Sequence, residues 1–214
     1  MTIRGRTLAL RLGLSLVFVA IFAMEAYAVS SGAAASFDDV MRSGVHLRAS
    51  APLTMLSRVL SRLGSVAVLS TLFVLAMTVF LLLRRRGSAF ALALAMAGAV
   101  ALEIALKYAF HRTRPEPFFA TAPESFSFPS GHALFSACFF LATAALLAPR
   151  VAGAARRAAL WMCAGGLVAA IGLSRIYLGV HYPSDVIGGY LVAAAWLCAV
   201  WATGPFLPAD TRCA

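Results

Sequence analysis

His181 and Asp185 lie four residues apart in Ser174-Arg175-Ile176-Tyr177-Leu178-Gly179-Val180-His181-Tyr182-Pro183-Ser184-Asp185, a polar break between two apolar runs. Pro183 disfavours helix at Tyr182 and suits the first turn of a new one. The spacing then lets both side chains meet on one helical face. A carboxylate beside an imidazole fixes its orientation and stabilises its charged form. That combination suits a histidine nucleophile, neutral when it attacks phosphorus and cationic once phosphorylated. A plain His–Asp hydrogen bond at a helix start is the competing reading. Arg175, just before the break, offers phosphate contacts.

Two further polar clusters have related chemistry. Lys107-Tyr108-Ala109-Phe110-His111-Arg112-Thr113-Arg114-Pro115 places a point charge, Lys107, and a planar donor fork, Arg114, where an apolar run ends. Such a pair holds phosphate oxygens, or snorkels to a membrane interface. Glu103, four residues before Lys107, is spaced to form an ion pair that positions the lysine. In Phe128-Pro129-Ser130-Gly131-His132, Ser130 is placed to cap a helix and Gly131 lets a ligand approach the backbone. Free amides at the helix start attract anions, and His132 is a candidate general acid or base.

These clusters must be positioned by membrane-spanning helices. The chain has 214 residues, 62% hydrophobic and 12% charged, too apolar for a soluble domain of this size. Its net charge of +10 comes in small arginine groups between apolar runs, which fits membrane topology and anionic head groups and argues against nucleic-acid binding. Six spans are expected: Leu12 to Met24 extended through Ala28 and Val29, Val66 to Leu83, Ala89 to Phe110, Ala133 to Ala148, Leu160 to Leu178, and Val186 to Phe206. Residues 1–29 also resemble a signal peptide ending Ala26-Tyr27-Ala28, but the length of the run favours an uncleaved first helix.

Between the first two spans, Ser36 to Arg62 is mixed. Its second half, Pro52 to Leu63, places Leu53, Leu56, Leu60 and Leu63 at helical spacing, as in an interfacial helix or one packed across the bundle mouth. The fold class expected is all-α: a polytopic bundle of six transmembrane helices with an extracytoplasmic interfacial helical segment, in a single domain over 1–214 with its core at 36–206. Arg4, Arg6 and Arg11, then Arg84 to Arg86, then Arg150, Arg156 and Arg157 put both termini in the cytoplasm and all three polar clusters outside. Cys138, Cys163, Cys198 and Cys213 show no metal-ligand spacing and read as small packing residues.

Lys107-x6-Arg114-Pro115, Pro129-Ser130-Gly131-His132 and Ser174-Arg175-x5-His181-x3-Asp185 resemble the three signatures of the type-2 phosphatidic acid phosphatase (lipid phosphate phosphatase) superfamily. The six-span layout is similar to its membrane branch, including bacterial undecaprenyl-diphosphate and phosphatidylglycerophosphate phosphatases. The resemblance implies that Lys107, Arg114, Arg175, Ser130 and the Gly131 backbone bind phosphate. It implies that His181 is the nucleophile, Asp185 its orienter and His132 the acid and base, with no metal and no cofactor. The implied substrate is a lipid phosphate or diphosphate: undecaprenyl diphosphate, phosphatidic acid or phosphatidylglycerol phosphate. The implied location is a bacterial inner membrane, with the site facing the periplasm. A lipid phosphotransferase and a non-catalytic lipid-binding or transport protein are the alternatives on the same fold. The loop from Pro115 to Pro129, with Phe118, Phe119, Phe126 and Phe128, is expected either to cover the site or to anchor in the interface.

Overall fold

The computed structural model describes residues 3–121 and 123–202, so Phe206 and Cys213 lie outside the described residues. Among these residues the chain forms eight α-helices: α1 (Ile3–Ser30), α2 (Ala35–His46), α3 (Ala51–Leu63), α4 (Val66–Leu82), α5 (Arg86–Phe110), α6 (Gly131–Leu147), α7 (Ala154–Tyr177) and α8 (Pro183–Ala202). Five of them, α1 and α5 to α8, are long and apolar enough to cross a membrane. Counted together as one bent span, α3 and α4, which meet at 48° across Gly64-Ser65, make a sixth. The molecule is therefore a membrane helix bundle.

The expected spans are present, with shifted ends. The short fourth run gains length from a 3-10 turn over Ala148–Arg150, which brings it to 20 residues. The fifth begins at Ala154, so Arg156 and Arg157 ride on helix. The first runs unbroken through Ala28 and packs along α8, with Arg11 Nη1 donating to Trp201 O at 2.8 Å and Ser15 Oγ to Ala195 O at 2.9 Å. The core lies where α5, α6 and α8 meet, around Leu92, Leu134, Ala137 and Leu197. Small residues make this close packing: a Cβ on Gly189 of α8 would stand 2.7 Å from the Ser130 carbonyl.

The segment before Val66 holds two helices, not one. α2 was not legible as a helix; it turns Asp38 inward, fully buried, and leaves Phe37, Val40 and Met41 exposed. α3 follows the leucine spacing, with the Ser50 hydroxyl accepting from Leu53 N as its cap. Its leucine stripe faces outward. Ser57 and Ser61 are the buried face, packed on α7, and Tyr177 Oη bonds Thr54 Oγ1 at 2.9 Å. In a lipid-facing helix the polar side is the one that finds partners inside the protein.

The break after α3 brings Gly64 onto Ile171 of α7, closer than any side chain there would allow, and within reach of the His132 ring.

Candidate active site

α5 ends where His111 takes a left-handed conformation, φ 47°. Beyond it, Arg112 and Arg114 both reach the His181–Asp185 pair. Arg114 Nη1 donates to the Val180 carbonyl at 2.9 Å and lies 2.9 Å from His181 Nε2. Its Nε donates to Ser125 O at 2.7 Å and its Nη2 to Ser125 Oγ at 3.0 Å. An arginine only donates, so Nε2 accepts and the imidazole proton sits on Nδ1. Nδ1 faces Asp185 Oδ2 at 3.2 Å. Nε2 is therefore the nitrogen with an available lone pair.

Asp185 is fully buried in the first turn of α8 and fully engaged. Oδ2 also accepts from Tyr182 N at 2.8 Å and from the Ser127 hydroxyl, while Oδ1 accepts from Arg112 Nη1 at 2.7 Å. Its backbone carbonyl takes the Ser130 amide at 2.9 Å, which ties α8 to the start of α6. Burial pulls the His181 pKa down to about 4; the hydrogen bond and charge of Asp185 offset only part of that, and Arg114 and Arg175 add to the fall. His181 is thus neutral at neutral pH.

The remaining predicted residues converge on the same place. Lys107 pairs with Glu103 at 2.6 Å, as the spacing suggested, and reaches Ser125 Oγ at 3.4 Å. Arg175 is buried and donates to Ser61 Oγ of α3. Ser130 holds the N-cap position of α6, but its hydroxyl does not cap. Ser130 Oγ and Arg175 Nε are both buried without a hydrogen-bond partner among the described residues. The first amides of α6, at Gly131 and His132, have no intrahelical acceptor. Two orphan polar atoms, free amides and three cations around Nε2 form an arrangement suited to a tetrahedral oxyanion. His132 opens α6 and feels the charges of Arg175, His181, Arg114 and Lys107.

Residues 115–121 and 123–128 pack against the residues around His181. Phe118 N and Phe119 N both donate to the Leu178 carbonyl, at 3.1 and 3.2 Å. Gly179 takes φ 79°, and a side chain there would collide with the Phe118 backbone. Phe119 stacks on Tyr177, Phe126 lies against His111, and Phe128 is buried between Phe22 and Phe110. His46, isolated in sequence, rests on Phe118 and Phe119. Ser125, Ser127 and Ser61 hold the predicted residues in place without carrying any spacing signal of their own.

A family model described as the PAP2 superfamily matches residues 88–207, more than half of the chain. The chain belongs to the PAP2 superfamily. Phosphatidylglycerophosphatase B of Bacillus subtilis is 36% identical over 86 residues, 40% of this chain and 42% of that protein. Lipid A 1-phosphatase of Rhizobium johnstonii is 42% identical over 101 residues, 42% of this chain and 37% of that one. Undecaprenyl-diphosphatase of Sulfolobus acidocaldarius is 32% identical over 102 residues, 45% and 44% of the two chains. The matched segments span about two fifths of these relatives.

The fold likeness reaches further along the chain. The crystal structure of the transmembrane PAP2 type phosphatidylglycerolphosphate phosphatase from Bacillus subtilis superposes with a TM-score of 0.81 at 25% identity, covering 94% of this chain and 98% of the other. That of Aquifex aeolicus LpxE gives 0.51 at 26% identity, covering 77% and 93%. The former likeness extends into α1 to α4, before the family match begins.

Proposed function

We propose that this PAP2 protein is a metal-independent lipid phosphatase that works through a phosphohistidine on His181. The observation that carries the reading is the pairing of an accepting His181 Nε2 with a ring of cations and unpartnered donors. The phosphoryl group binds between Lys107, Arg114 and Arg175, against Ser130 and the Gly131 amide. Arg114 exchanges Nε2 for a phosphate oxygen. Nε2 then bonds to phosphorus as the bond to the lipid oxygen breaks, and Asp185 stabilises the imidazolium that results. His132 gives its proton to the leaving oxygen; the bound phosphate offsets its charge beforehand. It then takes a proton from water, whose oxygen attacks phosphorus, breaks the N–P bond and releases inorganic phosphate.

A lipid substrate is supported by the surroundings. An apolar cavity of about 400 Å³ between α4 and α5, lined by Leu69, Phe73, Met96 and Val100, ends at Phe135, which packs beside Gly131. Undecaprenyl diphosphate, phosphatidic acid and phosphatidylglycerol phosphate are the candidate substrates. The arginines at 84–86, 150, 156 and 157 sit at the helix ends opposite the site. Their position supports a bacterial inner membrane location, with the site towards the periplasm and the termini in the cytoplasm. Phosphate release from a panel of lipid phosphates and diphosphates, in detergent with EDTA, tests the reading. Turnover in EDTA is expected; release from none of them, or only with added metal, refutes it.

The low pKa of His181 sets a pH signature. The acid limb of kcat/KM from this group is expected near pH 4 instead of 6.5, because the neutral nucleophile persists down to its folded pKa. Folding stability carries the same window. The unfolded histidine takes a proton from about pH 6.5 downward and the folded one only near 4, so this contribution is full above 6.5 and is lost between them. A pH–rate profile, with the substrate's own ionisation measured separately, gives the limb directly. A limb at 6 to 7 from His181 would contradict its burial.

A further inference from the structure

We infer that Asp38, on α2, is a positioning residue of the reaction, acting through the Arg112 fork on the Asp185–His181 pair. Asp38 lies outside the three signatures that carry the phosphatase reading, on which this inference rests, and Arg112 fills an unspecified position of the first. Arg112 Nη1 donates to Asp185 Oδ1 at 2.7 Å, and Nη2 donates to Asp38 Oδ2 at 2.8 Å. Asp38 is fully buried and accepts twice more, from Ser184 N at 2.9 Å and Ser184 Oγ at 2.6 Å. One guanidinium thus spans two buried carboxylates, and its plane lies over the Tyr182 ring at 4.1 Å.

The charge arrangement is what gives Asp38 leverage on the chemistry. Asp185 has to stabilise positive charge on His181 when the N–P bond forms. An unbalanced Arg112 cation 2.7 Å from Asp185 would oppose that stabilisation. Asp38 supplies the balancing charge, and its geometry fixes which face of Asp185 meets Nδ1. The other charged groups facing this cluster include Arg114 after α5 and Arg175 on α7, both acting on His181. The rest are Glu25 from α1, which interacts with Asp38, Arg112 and Asp185, and Arg42 on α2, whose guanidinium shares the Tyr182 ring. A buried ion pair that only fastened α2 to the bundle would need no second carboxylate on the same fork.

The test is steady-state kinetics of the full-length protein in detergent, per folded enzyme recovered by size exclusion. D38N is expected to lower kcat by about 10- to 100-fold with KM within about threefold, and to move the acid limb of kcat/KM to lower pH. D38E, which keeps the charge, is expected to hold the limb at its wild-type position and recover most of kcat. In an R112Q background, D38N is expected to add little, because the route to Asp185 is already cut. A D38N enzyme with lowered thermal stability but wild-type kcat and limb would make Asp38 a fastener only and overturn the inference. A D38N effect retained in full in R112Q would overturn the Arg112 route. If D38N yields no folded protein, R112K decides, since one ammonium cannot span both carboxylates: wild-type kcat and limb there overturn the inference. A wild type that releases no phosphate fails at the phosphatase reading instead.

Discussion

His181→Ala is expected to lose phosphate release by on the order of 10⁴-fold or more while still binding phosphate-like anions. The substitution removes Nε2, the atom that would carry the phosphoryl group. It leaves Lys107 paired with Glu103 and Arg175 on Ser61, so the cradle keeps its shape. Arg114 retains the carbonyls of Val180, Ser125 and Phe126. Asp185 retains Arg112, Tyr182 N and Ser127, so no buried carboxylate is left bare and the variant is expected to fold. Quenching wild-type enzyme during turnover of ³²P-labelled substrate should give acid-labile, base-stable label on the protein, absent in the variant. Turnover above about one per cent in purified His181→Ala would place the nucleophile elsewhere.

His132→Asn should separate the two halves of the reaction. With a lipid monophosphate the leaving alkoxide needs a proton, and the loss is expected at about 10²- to 10⁴-fold with no accumulation of phosphoenzyme. An aryl phosphate leaves without that help, so its first step should be nearly unaffected. Its second step still needs a base for water, so phosphoenzyme should build up and an early burst of phenol should be followed by slow turnover. Equal losses for both substrates, with no burst, would deny His132 the acid role. The ring stands at the first turn of α6, beside the α3–α4 break at Gly64, and asparagine fits that space without new contact.

The spacing of Lys107, Arg114, Ser130, Gly131, His132, Arg175, His181 and Asp185 was legible because each cluster sits on a single turn or helix end. Local geometry alone brings the members of a cluster together. What escaped notice arrives from far along the chain. Asp38 meets Ser184 across a separation of 146 residues and, in sequence, looks like any acidic residue of the mixed stretch between two spans. Ser61 meets Arg175 across 114 residues. The stripe of α3 was readable, but periodicity reports only that two faces differ. Which face turns inward depends on the partner, and here Ser57 and Ser61 face α7 while the leucines face out. Ser130 shows the opposite limit: its place at the helix start was predictable, but not that its hydroxyl leaves the helix uncapped while its amide donates to the Asp185 carbonyl.

The pairing of α1 with α8 has a consequence for how the protein is made. Ser15 waits for a partner 180 residues downstream. At ribosomal speeds of about 5–20 residues per second, that interval lasts on the order of 10 to 40 s. During that time α1 has Phe110 and Phe128 to set Phe22 against, but lacks the long seam that α8 supplies. The last of the described helices carries Asp185 at its start, so that carboxylate and the α1–α8 seam are delivered together. A nascent chain therefore holds Lys107, Arg114 and Arg175 before it holds the His181–Asp185 pair.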